Sequence, residues 1–226
     1  DASYEVAPIL FVPAGVTPVS NGLDYVNRTM DNVRHWYAEI LDGHTFSLTP
    51  AELVIGQHPL TYYFGNCYPP VDSSACNLGA TMWSNVFAEL DSRGYILPAN
   101  LVQGIFFQGE GFSTALGGGR RFLVGFNPDS LFPDCLQPGC ANNVSLGGAA
   151  HELGHAFGLP HPDGDPQYGV SVMGVGLYSF PQTTFINSPA FPEYDQLLAS
   201  PFINVDLPLS NPGFEGCLTG WNVTKG

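Results

Sequence analysis

The chain has 226 residues, and its twenty acidic side chains outnumber six basic ones for a formal charge of −14 at pH 7. That length suits one domain, or one domain plus a fragment, with enough chain to bury a proper core. So acidic a composition argues against nucleic acid or an anionic membrane surface as partner, while a cationic peptide would be attracted.

In chain order, the first element is an apolar run from Pro8 to Val12, closed by Pro13 and predicted as a buried strand. Residues 23–41 read as a helix, with Val26, Met30, Val33, Tyr37 and Ile40 on one stripe. Asn21 is its expected cap and Gly43 its stop. His35 falls on the far side of that stripe and reads as solvated; His44 and His58 lie at loop or strand-edge positions, and none of the three reads as a ligand. Strands are predicted at 52–55 and 61–64. A helix follows at 79–93, with Met82, Val86, Phe87 and Leu90 inward and Gly94 as terminator. Leu101 to Phe107 and Phe122 to Phe126 are further strands, the second taken as the edge strand of the sheet. Between them, Gly117-Gly118-Gly119 lacks the context of a phosphate loop and reads as a turn.

The helix centred on His151 to Phe157 carries the chemistry. Leu146, Ala150, Leu153 and Phe157 gather on one apolar face, and His151 and His155 project from the opposite one. Histidines four residues apart on one helical face can reach the same metal ion, and Glu152 beside them is placed to act as general base. Gly147 and Gly148 lie on or near the histidine face and weaken the helix, so close packing or function must account for them. Gly158 suits a left-handed cap, and Pro160 and Pro162 keep the helix from resuming. A sharp turn there would swing His161 back as a third imidazole. Three protein nitrogens plus one water is the open coordination of catalytic rather than structural zinc.

A last short helix is expected at 193–199. From about residue 206 the texture changes, and Asn211 through Trp221 looks like the first strand of a β-sandwich module that is cut off. The expected organisation is a catalytic domain over residues 1–205, then a linker and the start of that module over 206–226. Such modules serve glycan or surface targeting.

Five cysteines stand at 67, 76, 135, 140 and 217, without metal-site spacing. The short separations make Cys67–Cys76 and Cys135–Cys140 disulfide candidates in an exported protein, leaving Cys217 over. With one lysine, no membrane-spanning run and an abrupt start at Asp1, the chain reads as the mature, trimmed product of a secreted protein.

The run His151-Glu152-Leu153-Gly154-His155-Ala156-Phe157-Gly158-Leu159-Pro160-His161 resembles the metzincin clan of zinc endopeptidases at every fixed position of its HExxHxxGxxH signature. Ser171-Val172-Met173-Gly174, twelve residues after His161, looks like the clan's methionine turn, which would put Met173 beneath the metal as a floor rather than a ligand. The resemblance covers residues 151 to 173 and reaches no subfamily. Pro162 is what serralysins have after the third ligand, yet Val175 stands where serralysins and astacins carry a metal-side tyrosine, and no calcium repeats follow. Tyr178 is the candidate replacement as transition-state donor. The resemblance implies an α+β, metzincin-like zincin fold: a twisted mixed sheet with the active-site helix, a cleft and a small C-terminal subdomain. The helix at 79–93 is additional to that plan.

The activity implied is secreted zinc-dependent endopeptidase, with His151, His155 and His161 holding one zinc and Glu152 activating a metal-polarised water. The expected partners are protein or peptide substrates, without nucleic acid or membrane insertion. Asp163-Gly164-Asp165 is a possible calcium turn or a solvated acidic one. Two alternatives stand: a non-catalytic zinc-binding adhesin on the same fold, which would not need Glu152, and a protease restricted to glycoproteins such as mucins.

Overall fold

A seven-stranded mixed sheet forms the frame, with strand order β5-β6-β4-β1-β2-β7 and β3 also paired to β1. The computed structural model describes residues 3–67, 77–109, 115–126 and 143–208, without the side chains of 143–145. The strands are β1 (Glu5–Val12), β2 (His44–Leu48), β3 (Glu52–Ile55), β4 (Leu101–Gln108), β5 (Ala115–Gly118), β6 (Arg121–Phe126) and β7 (Ile203–Asp206). β1 runs parallel to β2, β3 and β4, and β4 runs parallel to β6; β5 and β7 are antiparallel at the two ends. The helices are α1 (Gly22–Ile40), α2 (Leu60–Phe64), α3 (Leu78–Ser92), α4 (Asn143–Ala156) and α5 (Glu193–Leu198).

Both faces of this sheet are covered, and the two-residue period of the strands divides their side chains between two cores. Leu10 and Val12 of β1, Val102 and Phe106 of β4, and Phe122, Val124 and Phe126 of β6 enter one core with α1 and α4. Ile9 and Phe11, Ile105 and Phe107, and Leu123 enter the other, against α2 and α3. The helix additional to the expected plan, α3, is thereby explained: Met82, Val86, Phe87 and Leu90 cover the second face of the sheet. Each such fully buried side chain stabilises the fold by about 1.5–3 kcal/mol.

Buried Glu89 fixes α3 to that face, accepting hydrogen bonds from the Tyr63 hydroxyl (2.5 Å), the Gln57 amide (2.9 Å) and Arg93 (3.0 Å). Burial together with the bond to Glu89 pushes the Tyr63 phenol far up.

On the first face, Trp36 and Tyr37 of α1 are fully buried. The Trp36 indole donates to the Pro181 carbonyl at 3.2 Å, and the Tyr37 hydroxyl donates to the Ala150 carbonyl of α4 at 3.0 Å. These two bonds tie α1 to the segment after the methionine turn and to the helix that carries the histidines.

Two expectations are corrected. Residues 61–64 are helical, not a strand: Leu60–Phe64 is a single helical turn after Pro59 whose Tyr63 and Phe64 turn into the second core. Phe122–Phe126 is not the edge, because β6 is flanked by β4 and by β5, and β5 is the outer strand. The triple glycine makes this possible. Gly119 and Arg120 have φ of 58° and 66°, and Gly118 pairs with Arg121, a two-residue hairpin that needs left-handed backbone at both positions.

α1 and α3 otherwise follow the predicted helices within one or two residues, although Asn21 makes no side-chain capping bond. β7 pairs with β2 and ends at Asp206. The module opening expected from Asn211 onward lies outside the described residues. Cys67 is buried and disulfide-bonded; Cys76, Cys135, Cys140 and Cys217 lie outside the described residues. No helix among the described residues is long and apolar enough to cross a membrane.

Candidate metal centre

α4 presents two faces of opposite character. Leu146, Ala150 and Leu153 pack into the first core, while His151 and His155 leave on the other side. The helix ends as the sequence requires: Gly158 has φ of 100°, and the Leu159 amide bonds back to the Gly154 carbonyl at 3.0 Å. That reversal returns His161 to the helix. The Nε2 atoms of His151, His155 and His161 form a triangle with sides of 3.0, 2.9 and 3.2 Å.

The tautomers decide what this triangle is. His151 Nδ1 lies 2.7 Å from the Val172 carbonyl, and His155 Nδ1 lies 2.7 Å from the Leu159 carbonyl. A carbonyl can only accept, so both Nδ1 atoms carry the proton and both Nε2 atoms are bare lone pairs. Bare nitrogens do not converge at 3 Å on one another without a cation between them. Tetrahedral zinc at about 2.0–2.1 Å from each nitrogen would space them by roughly 3.3–3.4 Å, close to the triangle found. The residues therefore fit zinc, and backbone acceptors behind the imidazoles are the usual way such ligands are oriented. Burial also pushes His151 down to about 4 and lowers His155, in both cases favouring the neutral imidazole that binds metal. Among the described residues this is the only group of three side chains able to hold a metal.

Glu152 is 7% exposed and lies on the side of α4 that meets β5. Burial pushes its carboxyl up to about 8 in the metal-free protein. Gly117 of β5 passes directly over it: a Cβ there would overlap the Glu152 carbonyl oxygen and come within 3.0 Å of Oε2. From sequence, Gly117 reads only as part of a turn. A glycine inside a strand is a signal of close backbone approach, and that signal was available.

Met173 is fully buried, and its sulfur occupies the space a side chain at position 154 would need. The second position of close approach on α4 is Gly147, where a Cβ would overlap the Leu177 carbonyl of the 3-10 turn Val175–Ser179. Gly148 faces open space. Tyr178 sits on that same turn and is 64% exposed.

The remaining candidates separate from the centre. His35 is half-buried, bonded to the Asp31 carbonyl of its own helix; His44 pairs with Asp206; His58 stacks on Tyr62. Asp165 accepts from the Gln167 amide at 2.8 Å, which closes a local turn. Asp163 and Asp165 join no metal-capable cluster among the described residues, so the calcium expectation finds no support.

One residue the sequence analysis did not single out is Glu193, at the start of α5. It is fully buried and accepts from the Ile186 amide and the Ser171 hydroxyl, while burial pushes it up to about 7.

The mixed α+β fold is metzincin-like, and three of its imidazoles converge where they could hold one metal ion. No protein-family model matches the chain, and no curated protein does. Among solved structures it is similar to wild-type OgpA from Akkermansia muciniphila, at 18% identity and a TM-score of 0.66, over 92% of this chain and 63% of that one. Catalytically inactive OgpA from the same organism, in complex with an O-glycopeptide (glycodrosocin) substrate, gives 17% identity and a TM-score of 0.64 over the same shares. Archaemetzincin from Methanopyrus kandleri gives 16% identity and a TM-score of 0.46, over 87% of this chain and 94% of that one. The chain thus spans 63% of the length of OgpA.

Proposed function

We propose that the chain is a secreted zinc-dependent endopeptidase. The observation that carries this reading is the convergence of three imidazole nitrogens, two of them bare, next to a buried carboxyl and the outer strand of the described sheet. His151, His155 and His161 would hold one zinc ion. Bound there, zinc supplies Lewis-acid polarisation of a water and of the scissile carbonyl. Glu152 accepts the proton of the attacking water and returns it to the departing amine. Its proximity to β5 places that transfer beside the outer strand, whose free edge can take an extended peptide as one more strand. The hydrogen bonds from His151 to Val172 and from His155 to Leu159 hold the imidazoles in the tautomer that binds metal.

Secretion is supported by the near absence of lysine and by the disulfide at Cys67. A narrower reading restricts the substrate to glycoproteins. It is favoured by the similarity of 92% of this chain to OgpA, a protein seen with an O-glycopeptide substrate. A non-catalytic zinc-binding adhesin would have no use for Glu152.

The test is digestion of paired libraries, plain peptides and the same peptides carrying O-linked sugars, with cut sites read by mass spectrometry. Zinc-dependent cleavage of either supports the peptidase. Cleavage of the glycosylated library alone supports the narrower reading. Zinc retention with no cleavage of either supports the adhesin.

A further inference from the structure

Glu193 is a carboxyl with 0% exposure in a protein so rich in acid that placing one more inside calls for a reason. Among the described residues no cation answers it. All five arginines are occupied elsewhere: Arg28 with Asp24, Arg34 with Asp31, Arg93 with Glu89, Arg121 with Asp91, and Arg120 with the Pro98 and Leu101 carbonyls. A buried carboxyl without a counter-ion is costly, and a hydrophobic side chain of similar size would be the cheaper way to fill the space.

What Glu193 does touch forms one connected path. Its two oxygens receive the Ser171 hydroxyl at 3.0 and 2.9 Å, and Oε2 also receives the Ile186 amide at 2.9 Å. The Ser171 oxygen in turn accepts from the Met173 amide at 2.9 Å. Between those two residues, the Val172 amide donates to the Thr184 carbonyl at 2.8 Å, and the Val172 carbonyl accepts from His151 Nδ1 at 2.7 Å. Ser171, Val172, Met173 and Glu193 are all fully buried, so water cannot replace any of these bonds.

We propose that Glu193 is a positioning residue for the metal centre: through the Ser171 hydroxyl it sets the methionine turn, and thereby the Val172 carbonyl that orients His151. This rests on the zinc reading above. The path from the Glu193 carboxylate to the His151 ring runs through three hydrogen bonds, Ser171 hydroxyl to Glu193, Met173 amide to Ser171 and His151 Nδ1 to the Val172 carbonyl, joined by the Val172–Met173 peptide, each with a defined donor and acceptor. Loss of the carboxylate removes the acceptor that fixes the Ser171 hydroxyl, and with it the anchor of the oxygen that receives the Met173 amide. The Val172 carbonyl then loses its fixed direction. Zinc would still have three nitrogens, but one of them would be held less firmly.

The experiment compares Glu193→Leu, which removes both acceptor oxygens, and Ser171→Ala with the parent. Thr183→Val serves as control, removing a nearby bond to the Val170 carbonyl that lies off the path. Thermal unfolding of each protein checks the fold. Two measurements follow: the rate of zinc release to a chromogenic chelator, and the visible absorption of the cobalt-substituted protein, which reads ligand geometry directly. The expected result is release on the order of tenfold faster in both path variants, the scale of effect for partners behind metal ligands. The cobalt bands should shift in those two variants, with the control like the parent on both counts. Parental release rates in a folded Ser171→Ala variant would overturn the inference even if Glu193→Leu failed to fold. Equal acceleration in the Thr183→Val control would overturn it too, by showing general loosening. A parent protein that binds no zinc would instead refute the metal reading itself.

Discussion

Replacing Glu152 by glutamine separates the cost of burying this carboxyl from its use. In the metal-free protein its carboxyl is pushed from 4.5 up to about 8 by burial, and no cation offsets it. The unfolded chain ionises near the ordinary value, so between those two values the unfolded state releases a proton that the folded state keeps. The stability contributed by this group is full below about pH 4.5 and is lost as pH rises toward 8. At about 1.4 kcal/mol per pH unit, the loss accumulated by pH 7 is roughly 3 kcal/mol. Glutamine has the same shape and cannot ionise. The zinc-free Glu152→Gln protein should therefore match the parent near pH 4 and exceed it by roughly 3 kcal/mol near pH 7.

His151 and His155 act in the opposite window. Held down by burial, they favour folding above the ordinary imidazole value and lose that contribution as pH falls toward about 4. Both proteins share that term, so it cancels in the comparison. Urea unfolding of chelator-treated protein at several pH values measures the difference. Adding zinc should shrink it, because a nearby cation favours the ionised carboxylate. In the same preparations, zinc-loaded Glu152→Gln should lose about a hundredfold or more of its peptide cleavage with its zinc content unchanged. Stability curves that stay parallel from pH 5 to pH 8 would refute the burial argument, and cleavage at the parental rate would refute the role of the base.

Four other outcomes are expected. Metal analysis of protein purified without chelator should find one zinc per chain, and stripping it should lower the unfolding temperature, with about 4 kcal/mol lost where free zinc had stood a thousandfold above its dissociation constant. Gly117→Ala should cost about 1–3 kcal/mol in urea unfolding and depress cleavage, because its Cβ overlaps the Glu152 carbonyl oxygen; an active, fully stable variant would mean β5 stands further from α4. Tyr37→Phe should destabilise by about 1 kcal/mol in the same assay through loss of the bond to Ala150, with zinc content retained. Phe107→Ala should cost about 3–5 kcal/mol, since that ring lies at the centre of the second core, while the rate of zinc release from folded protein stays parental.

The local sequence was enough for everything that depends on one segment's own period. Histidines four apart on a helix share a face whatever surrounds them, and a glycine with two nearby prolines ends that helix wherever it lies, so the triad could be assigned from residues 151–161 alone. The amphipathic helices α1 and α3 were legible for the same reason. Residues 61–64 were misread because four apolar and aromatic residues fit a strand and a helical turn equally well, and only packing into the second core distinguishes them.

What lay beyond reach were relations between segments distant in the chain. The order of strands decides which one is the edge, and β6 reads the same alone whether or not β5 covers it. Gly117 looked like part of a turn until the sheet brought it over Glu152. Nothing in the period around Glu193 distinguishes a buried acid from a solvated one at the first turn of a short helix. Its meaning arises only when α5 folds back on the methionine turn, where excluded water makes each hydrogen bond depend on one particular partner. Periodicity is a property of the neighbouring residues; burial is a property of the whole chain, and the chemistry around the imidazoles rests on both.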